Sequence, residues 1–536
     1  MSTDPVNWRG VAVRTVTVVA CLVVLLVLVA PGELGVLTPL AFLRIPIDAL
    51  LAIGLMVVLA PRARRIAAWT LGITFGLLAV VKIISLGFSM ALDRSFDPVY
   101  DWPFLEAGVD FLAQSSGRAA AIGAVIGALL LTAAVVTLVA LAFVRTTRLA
   151  VRHRPMTIRV LVAGALAWVV CLVAAVQLVP NVPVASRDYF DRLARVNTSL
   201  RDREAFNAAS AVDAFAGTPN DQLLTALRGK DMALVFIESY GRVALDDPSM
   251  GPQIRALLDD GSDRLRAAGF GSRSGFLTSP TAGGGSWLAH ATMLSGLWVN
   301  NQQRYRQLLA GDRLTLTAAF QKASWRTVAV MPGTNQQWPE GGQFFGYDRI
   351  YTATDLGYHG PRFSFSSMPD QFTLAAFQRS EEAGTAHSPL MAMIPLTSSH
   401  GPWNPVPPLV DWNTIGDGSA FQEVKGAGAQ DAMLGSDRVN ADYERAIAYS
   451  LQSLVSYVEK YGDENLVLVF LGDHQPSTAV TGTKASRDVP ITIVARDPAV
   501  LERVSGWGWT DGLRPGPQAP VWRMDTFRDR FLTAFG

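Results

Sequence analysis

Four stretches of this chain end an apolar run, or open a helix, on side chains capable of metal or phosphate chemistry. VLVFLGDHQPS, Val467 to Ser477, runs five apolar residues into Gly472 and then presents Asp473 and His474 side by side. MALVFI runs into Glu238, and LMAMIPL into Thr397, Ser398, Ser399 and His400. Two carboxylates and an imidazole are suitable ligands for a divalent metal such as Mn²⁺ or Zn²⁺. The fourth stretch, SPTAGGGSWLAHATMLSGL, places Ser286 directly after three glycines, where a helix should begin. A hydroxyl there meets free backbone N–H groups and the positive end of the helix dipole, which suits an attacked phosphate. Metal coordination would lower its pKa and make it a nucleophile. The plainer reading is that Glu238 and Asp473 cap the helices that follow and that Ser286 is an N-cap. Capping requires no adjacent histidine, so it accounts less well for the set. His290, one turn beyond Ser286, reads as a packing residue of its own helix.

These residues need a frame that brings them to one place. From residue 231 the texture alternates between α and β. MALVFI, TVAVM, LMAMIPL, LVLVFL and VPITIVA are apolar runs of strand length. The segment ADYERAIAYSLQSLVSYVEKYG is a helix, with apolar positions 443, 447, 451, 454, 455 and 458 at helical spacing and a stop at Gly462. Strands alternating with helices predict a mainly parallel sheet covered on both faces, with its ligands beyond the carboxyl ends of the strands. Glu238, His400, Asp473 and His474 all follow such ends. The Gly- and Pro-rich stretch 401–432 reads as a long loop at the same edge.

The first third is of another kind. Apolar runs at about 11–31, 36–60, 66–91, 119–144 and 160–180 are each long enough to cross a bilayer core of about 30 Å. Five membrane helices are expected, the first an uncleaved anchor. The N-terminus carries Arg9 and Arg14, the second loop Arg62, Arg64 and Arg65, and the fourth loop Arg145, Arg148, Arg152, Arg154 and Arg159. Asp93, Asp97, Asp101, Glu106 and Asp110 make the third loop acidic. Basic loops stay in the cytoplasm, so everything after Pro180 should lie outside the cell. Within the second and third runs stand Arg44, Asp48 and Lys82, charges that membranes tolerate when paired, snorkelling or in contact with headgroups. Residues 1–180 hold fourteen basic and eight acidic side chains, net +6, and the whole chain is +1, which leaves −5 for the rest. An acidic outer part argues against nucleic-acid binding. Cys21 and Cys171 both fall in membrane runs, so the exported part has no cysteine to serve as nucleophile, ligand or disulfide. The expected organisation is a transmembrane domain over 1–180, a helical linker over 181–230, and an α/β extracellular domain over 231–536.

Strand-Glu-Ser, a Gly-rich loop with a hydroxyl, Ser-Ser-His-Gly-Pro-Trp and Gly-Asp-His, in that order, resemble the alkaline phosphatase/sulfatase superfamily. The set is most similar to its membrane-bound branch of lipoteichoic acid synthases, phosphoglycerol transferases and phosphoethanolamine transferases. That resemblance implies five membrane helices followed by an extracellular sulfatase-like domain. It implies one divalent metal, Mn²⁺ foremost with Zn²⁺ or Mg²⁺ as alternatives, held by Glu238, Ser286, Asp473 and His474. Ser286 would also be the nucleophile. His400 would contact the substrate phosphate or protonate the leaving group, and Trp338 would line the headgroup pocket. The chain departs from the branch at the nucleophile, usually threonine, and at Glu340 and Met331, where lipoteichoic acid synthases carry arginine and histidine.

The activity implied is transfer of a phospho-alcohol headgroup, phosphoglycerol or phosphoethanolamine, from a membrane phospholipid to an envelope glycan or lipid through a covalent serine intermediate. The alternatives are a phosphodiesterase or phosphatase of the same fold, with water as acceptor, and a non-catalytic membrane scaffold. Formylglycine sulfatase chemistry fits poorly, because Ser286 is followed by Trp-Leu-Ala-His instead of the maturation motif. Asp355 and His359 have the spacing of a second-metal pair, but His474 is the last histidine in the chain. One metal is therefore expected.

Overall fold

The computed structural model describes residues 8–31, 38–92, 94–179, 182–186, 201–361, 368–382, 388–401, 403, 406–421, 437–482 and 485–536. They form two compact units, one of residues 1–90 with 94–202 and one of residues 91–93 with 203–536.

The first unit is helical: α1 (Trp8–Val29), α2 (Ile47–Val58), α3 (Pro61–Leu92), α4 (Trp102–Ser116), α5 (Arg118–Arg152) and α6 (Arg154–Val173). Among the described residues, α1, α3, α5 and α6 are long and apolar enough to cross a membrane. The second expected span differs. Among its described residues the α-helical part is the 12-residue α2, preceded by a 3-10 turn at Pro39–Phe42; α2 gives about 18 Å of rise, short of a bilayer core. Pro46 precedes α2 and ends the helical run on that side. The acidic third loop holds α4, where Arg94 forms a bidentate pair with the buried carboxylate of Asp101. Gly72 and Gly76 let α3 lie directly on α5: a Cβ at either would stand 2.8 Å from the Cα of Ala140 or Val136. Close approach of this kind holds membrane helices together by packing alone. Lys82 Nζ donates to the carbonyls of Val27 and Ala30 at 2.9 and 2.8 Å, satisfying the C-terminal end of α1.

The second unit is built on a nine-stranded sheet. Its strands are β1 (Asp231–Ile237), β2 (Gly271–Thr278), β3 (Arg326–Met331), β4 (Arg349–Thr352), β5 (Leu390–Leu396), β6 (Leu466–Gly472), β7 (Asp488–Ala495), β8 (Thr510–Asp511) and β9 (Val521–Arg523). The order is β8-β2-β7-β6-β1-β5-β3-β4, and β9 pairs with β2. From β6 to β4 all neighbours are parallel. The sheet is nonetheless mixed: β7 runs antiparallel to β6 and to β2, and β8 antiparallel to β2. VPITIVA, expected within a mainly parallel sheet, is the strand that turns the direction. Only 15 residues separate β6 from β7. They are spent on the site loop and leave no crossover helix to carry the chain back across the sheet.

Four helices matter for the site: α7 (Gly251–Ala267), α8 (Ser286–Ser295), α9 (Asp370–Phe377) and α10 (Asp437–Tyr461). The six apolar positions of α10 read from periodicity, Tyr443, Ile447, Leu451, Leu454, Val455 and Val458, are all buried against Val235, Leu258, Phe372, Ile394 and Phe470. Gly462 closes the helix by donating to Val458 O.

The helical linker expected over 181–230 is helical at 201–210. Beyond it come only two short 3-10 turns, Asn220–Gln222 and Thr225–Leu227, because Gly217 and Pro219 break the run. Asp213, in this stretch, is clamped inside the second unit. Arg528, fully buried, donates to both its carboxylate oxygens at 2.9 Å, and Arg313 lies 3.2 Å away. Asp213→Ala leaves two buried guanidinium groups short of a counter-charge. It should destabilise this unit by about 3 kcal/mol, seen as an earlier thermal unfolding transition of the full chain. An unchanged transition would mean the arginines are compensated elsewhere.

Candidate metal and nucleophile site

The parallel strands place the chemistry at one edge. Glu238 follows β1, Thr397 to His400 follow β5, and Asp473 and His474 follow β6, and these strands are hydrogen-bonded neighbours. The turn after β1 is tight enough that Ser239 takes a left-handed φ of 57°, an uncommon cost for a non-glycine residue. Its amide donates to Asp473 Oδ1 at 2.8 Å, and its hydroxyl to Glu238 Oε1 at 3.0 Å. Tyr443, on α10, donates its hydroxyl to Ser239 O at 2.8 Å and so holds the turn from below.

Ser286 enters from the Gly-rich loop. Gly283, Gly284 and Gly285 have φ of 72°, 155° and 82°, values open to glycine and costly to other residues. They end the loop on the first residue of α8, which is Ser286. Its Oγ donates to Glu238 Oε2 at 2.9 Å and lies 3.3 Å from His474 Nε2. His474 Nε2 is 3.3 Å from Glu238 Oε1 and 3.5 Å from Asp473 Oδ2. The other ring nitrogen, Nδ1, lies 2.8 Å from Gln475 O and donates to it. That bond turns Nε2 toward the cluster, the usual way a ligating imidazole is oriented.

Two carboxylates and an imidazole at nearly full burial demand positive charge. Burial pushes the Asp473 carboxyl up, and the neighbouring Glu238 charge adds to this, to about 7. Burial acts downward on His474, but the Asp473 and Glu238 carboxylates outweigh it and raise the imidazole to about 9. Burial also raises Glu238, yet His474 and His400 more than offset it and hold the carboxyl well below its ordinary range. The bare cluster therefore keeps itself neutral with protons. Asp473 Oδ2 remains buried without a hydrogen-bond partner, a loss on the order of 1–3 kcal/mol. A divalent cation fits the donor set: it would bind that oxygen, replace the protons and leave His474 Nε2 as a neutral ligand. Ligand atoms of Glu238, Asp473 and His474 lie within 4.8 Å of one another, the one such group among the described residues.

The structure thus brings together Glu238, Ser286, Asp473 and His474. His400 stands in the turn after β5, half-buried, its Nδ1 on Gly401 O at 2.5 Å, near enough to act on the Glu238 carboxyl. Trp338 follows β3 at the same edge but packs against Phe345 and Tyr347, with ring centroids 5.2 and 6.0 Å away. Among the described residues no hydrogen bond or ring contact joins it to the four. Asp355 Oδ2 caps Thr352, and the His359 amide donates to Asp417 O, so that pair serves its own loop. His290 stacks 4.0 Å from Phe236, and burial lowers it to about 4. It is a neutral packing residue.

Residues 250–489 match the family model described as Sulfatase. That stretch is similar to sulfatase-type enzymes. The matched stretch includes Ser286, His400, Asp473 and His474, and begins after Glu238. Sulfatase and alkaline phosphatase enzymes use a divalent metal, consistent with the donor set. No curated protein sequence matches the chain. Among solved structures it is similar to the phosphoethanolamine transferase EptA from Neisseria meningitidis, at 13% identity over 97% of this chain and 95% of that one, TM-score 0.44. It is also similar to the lipoteichoic acid synthase LtaP from Listeria monocytogenes, at 16% identity over 54% and 71%, TM-score 0.35. The phosphoglycerol transferase GacH from Streptococcus pyogenes is similar at 12% identity over 63% and 91%, TM-score 0.36.

The sequence did not show two contacts that hold this site. Gln475 orients His474 through its carbonyl and receives the Gly283 amide at 2.8 Å. Ser399 donates its hydroxyl to Glu238 O at 2.6 Å. These bonds run between strand ends distant in sequence, and no local pattern announces them.

Proposed function

We propose that this protein is a membrane-bound, metal-dependent transferase. It moves a phospho-alcohol headgroup, of phosphoglycerol or phosphoethanolamine type, from a membrane phospholipid to an envelope glycan or lipid through a covalent Ser286 intermediate. The observation that carries the proposal is the placement of Ser286 Oγ, at a helix N-terminus and within hydrogen-bond reach of both Glu238 and His474. Glu238, Ser286, Asp473 and His474 would hold one divalent ion, Mn²⁺ for preference. When bound, that ion supplies the positive charge that favours an ionised serine and an attacked phosphate.

The chain's own groups do the rest. Ser286 passes its proton to Glu238 Oε2, the oxygen it already donates to, and Oγ is free to attack phosphorus. The Oγ–P bond forms as the bond from phosphorus to the diacylglycerol oxygen breaks, and the first-turn amides of α8 face the charge on the phosphoryl oxygens. His400 gives the departing diacylglycerol oxygen its proton. In the second half an acceptor hydroxyl attacks, the P–Oγ bond breaks, Ser286 Oγ takes its proton back from Glu238, and His400 takes the hydroxyl proton. Trp338 would line the headgroup pocket. Incubating the full-length enzyme with a total lipid extract should add the mass of one phospho-alcohol to the Ser286 peptide and release diacylglycerol. Release of free headgroup phosphate with no loss to an acceptor would favour the hydrolase instead.

Five spans and an extracellular enzyme domain complete the proposal. Arg9 and Arg14 stand near the start of α1, Arg62, Arg64 and Arg65 at the start of α3, and Arg145 to Arg159 around the junction of α5 and α6, so α1, α3 and α6 start in the cytoplasm. The chain must then return inward between Val29 and Pro61, and α2 lies in that return. A reporter fused near residue 220 should be active only outside the cytoplasm. Cytoplasmic activity would overturn the lipid-donor reading as well, since that lipid face would be the wrong one.

A further inference from the structure

We infer that Asp370, the first residue of α9, is the positioning residue that sets His400 for its work. Asp370 lies far from the metal-binding group in sequence and on another element, and its side chain is completely buried. Its Oδ1 accepts two consecutive amides of the turn after β5, Thr397 N at 2.8 Å and Ser398 N at 2.9 Å. Its Oδ2 accepts the Ser450 hydroxyl, from α10, at 2.5 Å. The bonding is reciprocal, because the Asp370 amide donates to Ser398 Oγ at 2.9 Å. A carboxylate taken out of water is costly, and it is retained where every lone pair is put to use.

What it holds is the base of the turn that delivers His400. Thr397 and Ser398 are pinned by Asp370. Ser399 is pinned by its hydroxyl bond to Glu238 O and by the Trp403 indole, which donates to Ser399 O at 2.8 Å. The His400 amide closes the turn on Thr397 O at 3.1 Å. His400 therefore projects from a segment whose three preceding residues have no freedom. Released from Asp370, Thr397 and Ser398 would have to bond elsewhere, and a displacement of about 1 Å at a catalytic group can cost on the order of 100-fold in rate.

This inference rests on the role given to His400 above, and two readouts separate the failure of one from the failure of the other. In full-length enzyme, Asp370→Ala should lower the rate of diacylglycerol release 10- to 100-fold with little change in KM, and should leave metal content unaltered. Asp370→Asn keeps an oxygen for both amides and should recover most of the rate. Because Asp370 acts through His400, Asp370→Ala should add almost nothing in a His400→Ala background. A fully multiplicative double variant would overturn the inference. The second readout needs no turnover. The chain has six histidines, and the imidazole resonance missing from His400→Ala should be the one that moves in Asp370→Ala. If it stays in place, Asp370 does not position His400, whatever the enzyme transfers. Should Asp370→Ala fail to fold, Ser398→Ala removes only the reciprocal bond, and the same resonance should move by a smaller amount. An unmoved resonance there overturns the inference equally.

Discussion

Ser286→Ala should abolish turnover, by on the order of 10⁴-fold or more, as loss of a nucleophile does, while the protein keeps its metal. The reason is positional. Its nearest rivals in the same stretch are the hydroxyls of Ser279, Thr281 and Thr292, and two of these are already committed. Ser279 is fully buried and donates to Asp473 O at 2.6 Å. Thr292 is fully buried, donates to Leu288 O at 2.8 Å and accepts the Val299 amide at 3.0 Å. Thr281 is buried and lies before the glycines, without a helix start behind it. Only Ser286 combines the free amides of a first turn with contacts to Glu238 and His474. Alanine removes the attacking oxygen and leaves Glu238, Asp473 and His474 as they are. Threonine restores the hydroxyl at the cost of one methyl, worth roughly tenfold at most if the pocket adjusts. A trapped phosphopeptide at Ser279, Thr281 or Thr292, or near-normal turnover of the alanine variant, would sink the assignment.

Much of this site was legible because parallel strands buried on both faces read as unbroken apolar runs. MALVFI, LMAMIPL and LVLVFL end within a residue of where the polar groups begin, and strand adjacency carried those groups to one edge. The helix read over 441–462, and found at Asp437–Tyr461, was equally plain, since six apolar positions at helical spacing leave little else. The strand GSRSGFLT was not visible. Its glycines and serines have low strand propensity, and it forms because β7, β8 and β9 pair along it. Strand direction was likewise beyond local pattern, for VPITIVA reads the same whichever way it runs. Nothing in the sequence around Asp370 sets it apart from any acidic residue opening a helix. Its function comes from bonds to residues 27, 28 and 80 positions away. The second membrane run was misjudged in extent because hydropathy registers apolar content and does not register where Pro46 stops a helix.

Removing Asp473 or His474 should empty the metal site, and pH should do the same from the acid side. The full chain should bind one divalent ion. In the bare cluster burial, with the Glu238 charge, pushes Asp473 up to about 7, and the Asp473 and Glu238 carboxylates outweigh burial to push His474 up to about 9. Both must lose a proton to become ligands, so metal and proton compete for the same atoms. The sign follows directly. Affinity should be greatest above about pH 9. It should fall as pH drops through the His474 range, and fall more steeply once Asp473 also binds a proton near 7. Metal uptake at pH 7 should release protons into an unbuffered solution. Asp473→Asn removes one negative charge and replaces the unpartnered Oδ2 with a donor group that cannot face a cation. It should weaken binding by at least about 100-fold, the upper end of what loss of a supporting residue costs, since here the ligand itself is lost. His474→Ala should do the same, whereas Ser286→Ala should bind nearly as well as the unaltered chain, because three ligands remain. Elemental analysis decides between the possibilities. Two equivalents per chain, or none in a folded protein, would exclude single-metal chemistry. Affinity that stays level between pH 6 and 9 would show that Asp473 and His474 are not the atoms that bind.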